Sequence, residues 1–123
     1  MSINVLCTSV GNDGFQAIWR SLKAEPGFRV CGADVNSLAY GLYLADAGYV
    51  VPSRAHADDL VDRLLEIAEK ERVDLLIPLS TEDQSFYSKF RDRFESRGIR
   101  VAVSSHAAVE TANHKHRLIQ AAA

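Results

Sequence analysis

Four groups of residues in this 123-residue chain have types and spacings that could do chemistry. Gly11, Asn12, Asp13 and Gly14 form a short loop between an apolar run and a helical pattern. Backbone N–H groups at a helix start can hold an anion, so this loop could cradle a phosphate or carboxylate. Its spacing is G-x-x-G, however, and not the G-x-G-x-x-G of a dinucleotide site. Asp13 also opposes an anion there. A carboxylate in a first helical turn gains about 0.3–1 kcal/mol from the helix dipole, and it would use the donors a second anion needs. A tight turn with a self-capped helix explains the same residues and is the favoured reading. Asp34 follows about 20 residues on, where dinucleotide-binding folds place a ribose-binding acid. Thr81, Glu82 and Asp83 make a third group. Two acids in a first turn follow from the dipole alone. A pair of carboxylates facing a cleft could equally bind an ammonium or amine, and both readings stand. The fourth group is His106, His114, Lys115 and His116. His114 and His116 are two apart, so they point to different faces and cannot chelate as an i, i+4 pair would. They read as solvated side chains. Ser104 and Ser105 lack a G-x-S-x-G context, so no nucleophile elbow is indicated.

The elements that must position these residues are legible in the pattern of apolar positions. Ile3–Thr8 is nearly continuously apolar, as a strand covered on both faces should be. Phe15, Ile18, Trp19 and Leu22 follow helical spacing, with Asp13 and Gln16 as a variant capping box and Pro26-Gly27 as the stop. Arg29–Asp34 is a second strand. Asn36–Ala47 predicts a short helix or an ordered loop, because Gly41 interrupts the spacing of Leu38, Leu42 and Ala45. Tyr49–Val51 is a short strand closed by Pro52. Ala57–Glu71 is a helix with Leu60, Leu64 and Ile67 on its inner face, supported by Val61, Leu65 and Ala68. Leu75–Pro78 is a buried strand. Thr81-x-x-Gln84 predicts a capping box for one helix carrying Phe86, Phe90 and Phe94 as a stripe. Gly98 stops it, Ile99–Val103 is a further strand, and a last helix starts near Ala107.

Alternating strands and helices predict an α/β domain: an open three-layer arrangement with a mainly parallel sheet of four to five strands and helices on both faces. The loop, Asp34 and Thr81–Asp83 then share the carboxyl edge of the sheet, where such folds bind ligands.

Composition bounds the function. Hydrophobic residues make up 47% and charged residues 24%, and the formal net charge is -2. These values fit one globular domain and give no basic footprint for nucleic acid or a membrane surface. No signal peptide or spanning segment is seen in the pattern, so the expected location is the cytoplasm. Cys7 and Cys31 both fall in predicted buried strands, which predicts reduced, core-filling thiols.

The segments VLCTSVGNDGFQAIWRSLK, RVCGAD, LADAGYVVP, DLLIPLSTEDQ and IRVAVSS together resemble the N-terminal, pre-ATP-grasp domain of ATP-grasp ligases. The nearest flavour is the carbamoyl-phosphate synthase large subunit. The resemblance covers nearly the whole chain and is most specific at Leu44–Pro52 and Ile77–Asp83. It implies a Rossmann-like domain over residues 1–112 and the start of a linker helix over residues 113–123, leading into ATP-grasp lobes not seen in this sequence. Lys115 aligns with a family lysine that implies a nucleotide-side role, and His114 stands where the family usually carries aspartate. The implied activity of a full-length parent is ATP- and Mg2+-dependent ligation of a carboxylate to an amine or other nucleophile through an acyl-phosphate. The fragment itself is expected to hold no cofactor. It would form a substrate-side wall from Gly11, Asn12, Asp13, Gly14, Asp34, Thr81, Glu82 and Asp83. The expected partners are a small carboxylate or amine and the lobes of the same full-length chain. A homodimer stays open, since Tyr40, Tyr43 and Tyr49 suit either an interface or the core. The alternative reading is a stand-alone nucleotide- or dinucleotide-binding regulatory module. A phospho-receiver is disfavoured, because Thr8-Ser9 and Pro78-Leu79 stand where it needs acids.

Overall fold

The computed structural model describes residues 2–102 and His114. The strands are β1 (Ile3–Thr8), β2 (Phe28–Asp34), β3 (Ala47–Val50), β4 (Leu75–Pro78) and β5 (Arg100–Val101). The helices are α1 (Gly14–Lys23), α2 (Tyr40–Leu44), α3 (Ala57–Glu71), α4 (Thr81–Lys89) and α5 (Arg91–Glu95), with a 3-10 turn at Arg54–His56. The strands form one sheet in the order β3-β2-β1-β4-β5, and every pair is parallel. The chain winds outward from β1 through β2 to β3, then returns to place β4 on the other side of β1. The order therefore reverses between β1 and β4, and their carboxyl ends flank the switch point.

Alternation along the strands feeds two cores, one on each face. Val5, Cys7, Val30, Leu75 and Ile77 pack under Phe15, Ile18 and Leu22 of α1. Leu6, Cys31, Ala33 and Leu76 pack under Leu60, Leu64 and Ile67 of α3 and under Tyr87 and Phe94. Leu6 is the register partner of Cys31, so Cys7 and Cys31 point to opposite faces. Both thiols are free and buried, as expected. Among the described residues no helix is long and apolar enough to cross a membrane.

Several expectations shift in detail. The helix cap at Ser80–Thr81 moves by one residue: Ser80 is the N-cap and its Oγ accepts from the Asp83 N–H at 3.0 Å. The phenylalanine stripe is carried by two helices broken at Phe90. A stripe at four-residue steps drifts by about 40° per step around a straight helix, and the break re-aims Phe94 into the core, where it is buried. The Gly41 interruption has a packing cause. A Cβ there would lie 2.2 Å from the Val10 carbonyl oxygen, so α2 can sit against that loop only without a side chain. Asp13 makes no side-chain cap contact with α1. The Asn12 Oδ1 instead accepts from the Gly14 N–H at 2.8 Å. The last predicted helix, Val103 of the last predicted strand, Ser104, Ser105, His106, Lys115 and His116 lie outside the described residues.

The edge strand β3 is clamped by two polar networks. Asp46 Oδ2 accepts from the Val30 N–H at 2.8 Å and from Lys23 Nζ at 2.9 Å. The Tyr49 hydroxyl donates to Glu71 Oε1, and Arg29 Nε donates to Glu71 Oε2 at 3.1 Å.

Candidate functional site at the carboxyl edge

The site forms where β1 and β4 end. Beyond β1 the chain turns sharply at Ser9, which adopts φ 54 in the left-handed region. That conformation is uncommon for a residue with a side chain. It aims the Ser9 hydroxyl across the switch point at Asp83, to whose Oδ2 it donates. The Thr8 hydroxyl donates to the same oxygen at 2.8 Å. Asp83 sits in the first turn of α4 and is 4% exposed. A buried carboxylate must be hydrogen-bonded or paired, and here two hydroxyls hold Oδ2 while Arg54 Nη1 approaches Oδ1 at 3.5 Å. Tyr87, one turn further along α4, is buried against this group. Burial first, and then the charge of Asp83, pushes its hydroxyl pKa up, so it stays neutral.

Asp34 closes the neighbouring corner. Its Oδ2 accepts from the Gly11 N–H and its Oδ1 from the Asn36 N–H, both at 2.9 Å. The Tyr40 hydroxyl donates to the Asn12 carbonyl at 2.9 Å and ties α2 to the same loop. Between these corners lies a cavity of about 140 Å³. Thr8, Ser9, Asp34, Arg54 and Asp83 supply its polar side, and Val35, Val51, Pro52 and Leu60 an apolar one.

The structure thus joins some of the residues expected at the site and separates others. Asp34 and Asp83 line one cavity, and Gly11 is tied to it through Asp34. Asn12 and Gly14 engage one another beside it, while Asp13 is exposed. Thr81 and Glu82 are exposed, and neither lines the cavity. Sequence reasoning missed Thr8, Ser9 and Arg54. No motif marks them, but a topological signal existed: Arg54 follows the carboxyl end of β3 and Ser9 that of β1, the strand ends where open sheets bind ligands.

The Gly11–Gly14 loop does not present its glycine amides to a triphosphate. The Gly11 and Gly14 amides are committed to Asp34 and Asn12, and two carboxylates share the edge. Among the described residues no group of three His, Cys, Asp or Glu could hold a metal ion.

Comparison with known proteins places this fold. Residues 5–102 match the family model described as PylC-like, N-terminal domain. No curated protein matches the chain in sequence. Among solved structures, glycinamide-RNase-transformylase T from Mycobacterium tuberculosis is similar over 87% of this chain and 30% of its own, with a TM-score of 0.62 and 17% identity. The biotin carboxylase subunit of pyruvate carboxylase is similar over 82% of this chain and 22% of its own, with a TM-score of 0.58 and 22% identity. The biotin carboxylase domain of thermophilic 2-oxoglutarate carboxylase gives a TM-score of 0.58 and 19% identity, over 82% and 23%. At these identities the likeness shows the fold. The chain spans less than a third of the length of each.

Proposed function

Because the chain belongs to the PylC-like N-terminal-domain family, the pre-ATP-grasp domain of ATP-grasp ligase-like enzymes, we propose that it forms the substrate-side wall of such an enzyme. The parent activity in this reading is ATP-dependent joining of a carboxylate to an amine or other nucleophile through an acyl-phosphate, as in the carbamoyl-phosphate synthase large subunit. ATP and Mg2+ belong to the ATP-grasp lobes of the full-length chain. Residues 1–112 are the wall, and residues 113–123, with Lys115, begin the connection to those lobes. The non-nucleotide substrate sits at the carboxyl edge, against Asp34, Asp83 and the Gly11–Gly14 loop.

The observation that supports this most is the cavity at the β1–β4 switch point, with a buried carboxylate fixed by two hydroxyls on its floor. Such a floor gives a small polar ligand an orientation, while the committed loop amides leave nothing for a triphosphate. The test is steady-state kinetics of the full-length enzyme carrying Val35→Trp. Val35 lines the cavity mouth and is 57% exposed, so the indole obstructs the cavity without disturbing the core. The KM for the acid or amine substrate should rise at least tenfold while the KM for ATP changes little. Equal rises for both, or none for either, would remove this cavity from the active site.

A further inference from the structure

The polar groups of the cavity are unequal in what they can still bind. Asp83 accepts two hydroxyls on Oδ2 and faces a guanidinium at Oδ1. Asp34 accepts a backbone N–H on each oxygen. Both carboxylates are therefore satisfied by the fold itself. Arg54 differs. It stands on a 3-10 turn just past β3, its side chain is 43% exposed, and its ion pair with Asp83 is long at 3.5 Å. A guanidinium carries five N–H donors in a planar fork that matches a carboxylate. The pair is long, and Asp83 keeps its two hydroxyl donors when the half-exposed guanidinium turns to another anion. Val35, Val51, Pro52 and Leu60 line the same cavity and supply its apolar surface.

We propose that Arg54 recognises the carboxylate of a small carboxylic acid with an apolar body, and that this site selects acids over amines. The proposal rests on the reading of the cavity as a substrate site and adds its ligand class. The ligand carboxylate takes the guanidinium fork at the mouth, and its hydrocarbon part rests on the valine, proline and leucine wall. Asp83 stays at the floor beneath the ligand, its oxygens already engaged by Thr8, Ser9 and Arg54. It is the resident counter-charge that holds Arg54 over the cavity and competes for it. No bond is made or broken in this step. The cavity, about 140 Å³, has room for a short acid.

The experiment is a two-dimensional amide NMR titration of the chain with isobutyrate, isobutylamine and inorganic phosphate at constant ionic strength. Isobutyrate should shift the amides of Ser9, Ser53, Arg54 and Asp83 saturably, and isobutylamine should not. Arg54→Gln should weaken isobutyrate roughly tenfold, the loss of one charge-assisted contact, while amides remote from the cavity keep their positions. Arg54→Lys should recover part of the affinity, since it restores charge without the fork. Asp83→Asn separates the alternatives sharply. It should tighten isobutyrate severalfold by removing the competing charge, whereas an ammonium site built on Asp83 would be abolished. Saturable shifts at these amides with isobutylamine alone would overturn the proposal and leave the cavity as a substrate site. Phosphate binding as tight as isobutyrate would overturn the choice of carboxylate, and isobutyrate affinity unchanged in Arg54→Gln would overturn the role of Arg54.

Discussion

Replacing Gly41 with alanine should destabilise the chain by about 2 kcal/mol, and the reasoning is open to direct test. A Cβ at this position would lie 2.2 Å from the Val10 carbonyl oxygen, 2.5 Å from Val10 Cβ and 2.8 Å from Phe15 Cδ2. Real Cβ contacts essentially never fall under 3.0 Å, so α2 and the Val10 backbone must separate by about 0.8 Å. Neither side yields easily. Val10 is fully buried and Phe15 is the first apolar anchor of α1. Overpacking of this kind costs about 1–3 kcal/mol. The upper end applies, because the nearest atom is backbone. Alanine recovers about 1 kcal/mol as the better helix former, which leaves about 2. For a domain of this size that lowers Tm by roughly 8 °C. The assay is thermal unfolding followed by circular dichroism. Gly14→Ala serves as the control: its Cβ would meet only Asn12 Oδ1 at 3.2 Å, and it should stay within about 0.5 kcal/mol of wild type. A Gly41→Ala variant as stable as wild type would refute the claim that this close approach sets the position of α2. The same shift moves Val10 beside Gly11, so the Gly11–Asp34 hydrogen bond should weaken with it.

Four further outcomes follow from the polar groups and the thiols. Asp34→Ala removes the acceptor of the Gly11 and Asn36 N–H groups and should cost about 1–3 kcal/mol, with amide exchange accelerated at those two residues; unchanged exchange would contradict the clamp. The Tyr49 hydrogen bond first, and then Arg29, hold the Glu71 carboxyl below its usual value of 4.5 against the opposing effect of burial. A depressed native pKa contributes stability above the unfolded value that is lost as pH falls through the native one. Stability should therefore drop below pH 4.5, and Glu71→Gln should flatten that arm. The same contact pushes the Tyr49 hydroxyl up to about 12 from 10, a contribution present below pH 10 and lost as pH rises towards 12; Tyr49→Phe should remove it from an alkaline unfolding series. Burial pushes the Cys31 thiol up to about 12 and raises that of Cys7 further, so neither should react with an aromatic disulfide reagent until denaturant is added. Rapid native labelling would contradict their burial.

Where hydrophobic period and boundary chemistry agreed, the sequence was read to the residue: Ile3–Thr8, Ala57–Glu71 and Leu75–Pro78 match the observed elements. Such segments bury both faces or one wide face, and solvent exclusion dictates their pattern. Legibility fell where the determining contact is distant in sequence. Thr81 and Ser80 are both plausible caps, and only the packing of Asp83 against Thr8 and Ser9 decides for Ser80. Gly41 reads as a break in helical spacing when its reason is the Val10 carbonyl, far along the chain. Asp46 in Leu44–Pro52 carries no local sign that it will accept from Val30 and Lys23. The site divides in the same way. The edge of the sheet was legible from topology, and Asp34 and Asp83 were found there. Arg54, Thr8 and Ser9 were not, because a guanidinium on a turn and two hydroxyls after a strand acquire meaning only when the sheet brings them together.

In the proposed reading this edge receives a non-nucleotide ligand and leaves ATP to other lobes. Calorimetric titration of the chain with Mg2+ and ATP tests it most directly. The account predicts no saturable heat, because a phosphate would have to displace Asp34 from the Gly11 N–H and Asn12 from the Gly14 N–H. Binding of ATP in the micromolar range, lost on substitution within the Gly11–Gly14 loop, would contradict it and favour a nucleotide-binding module.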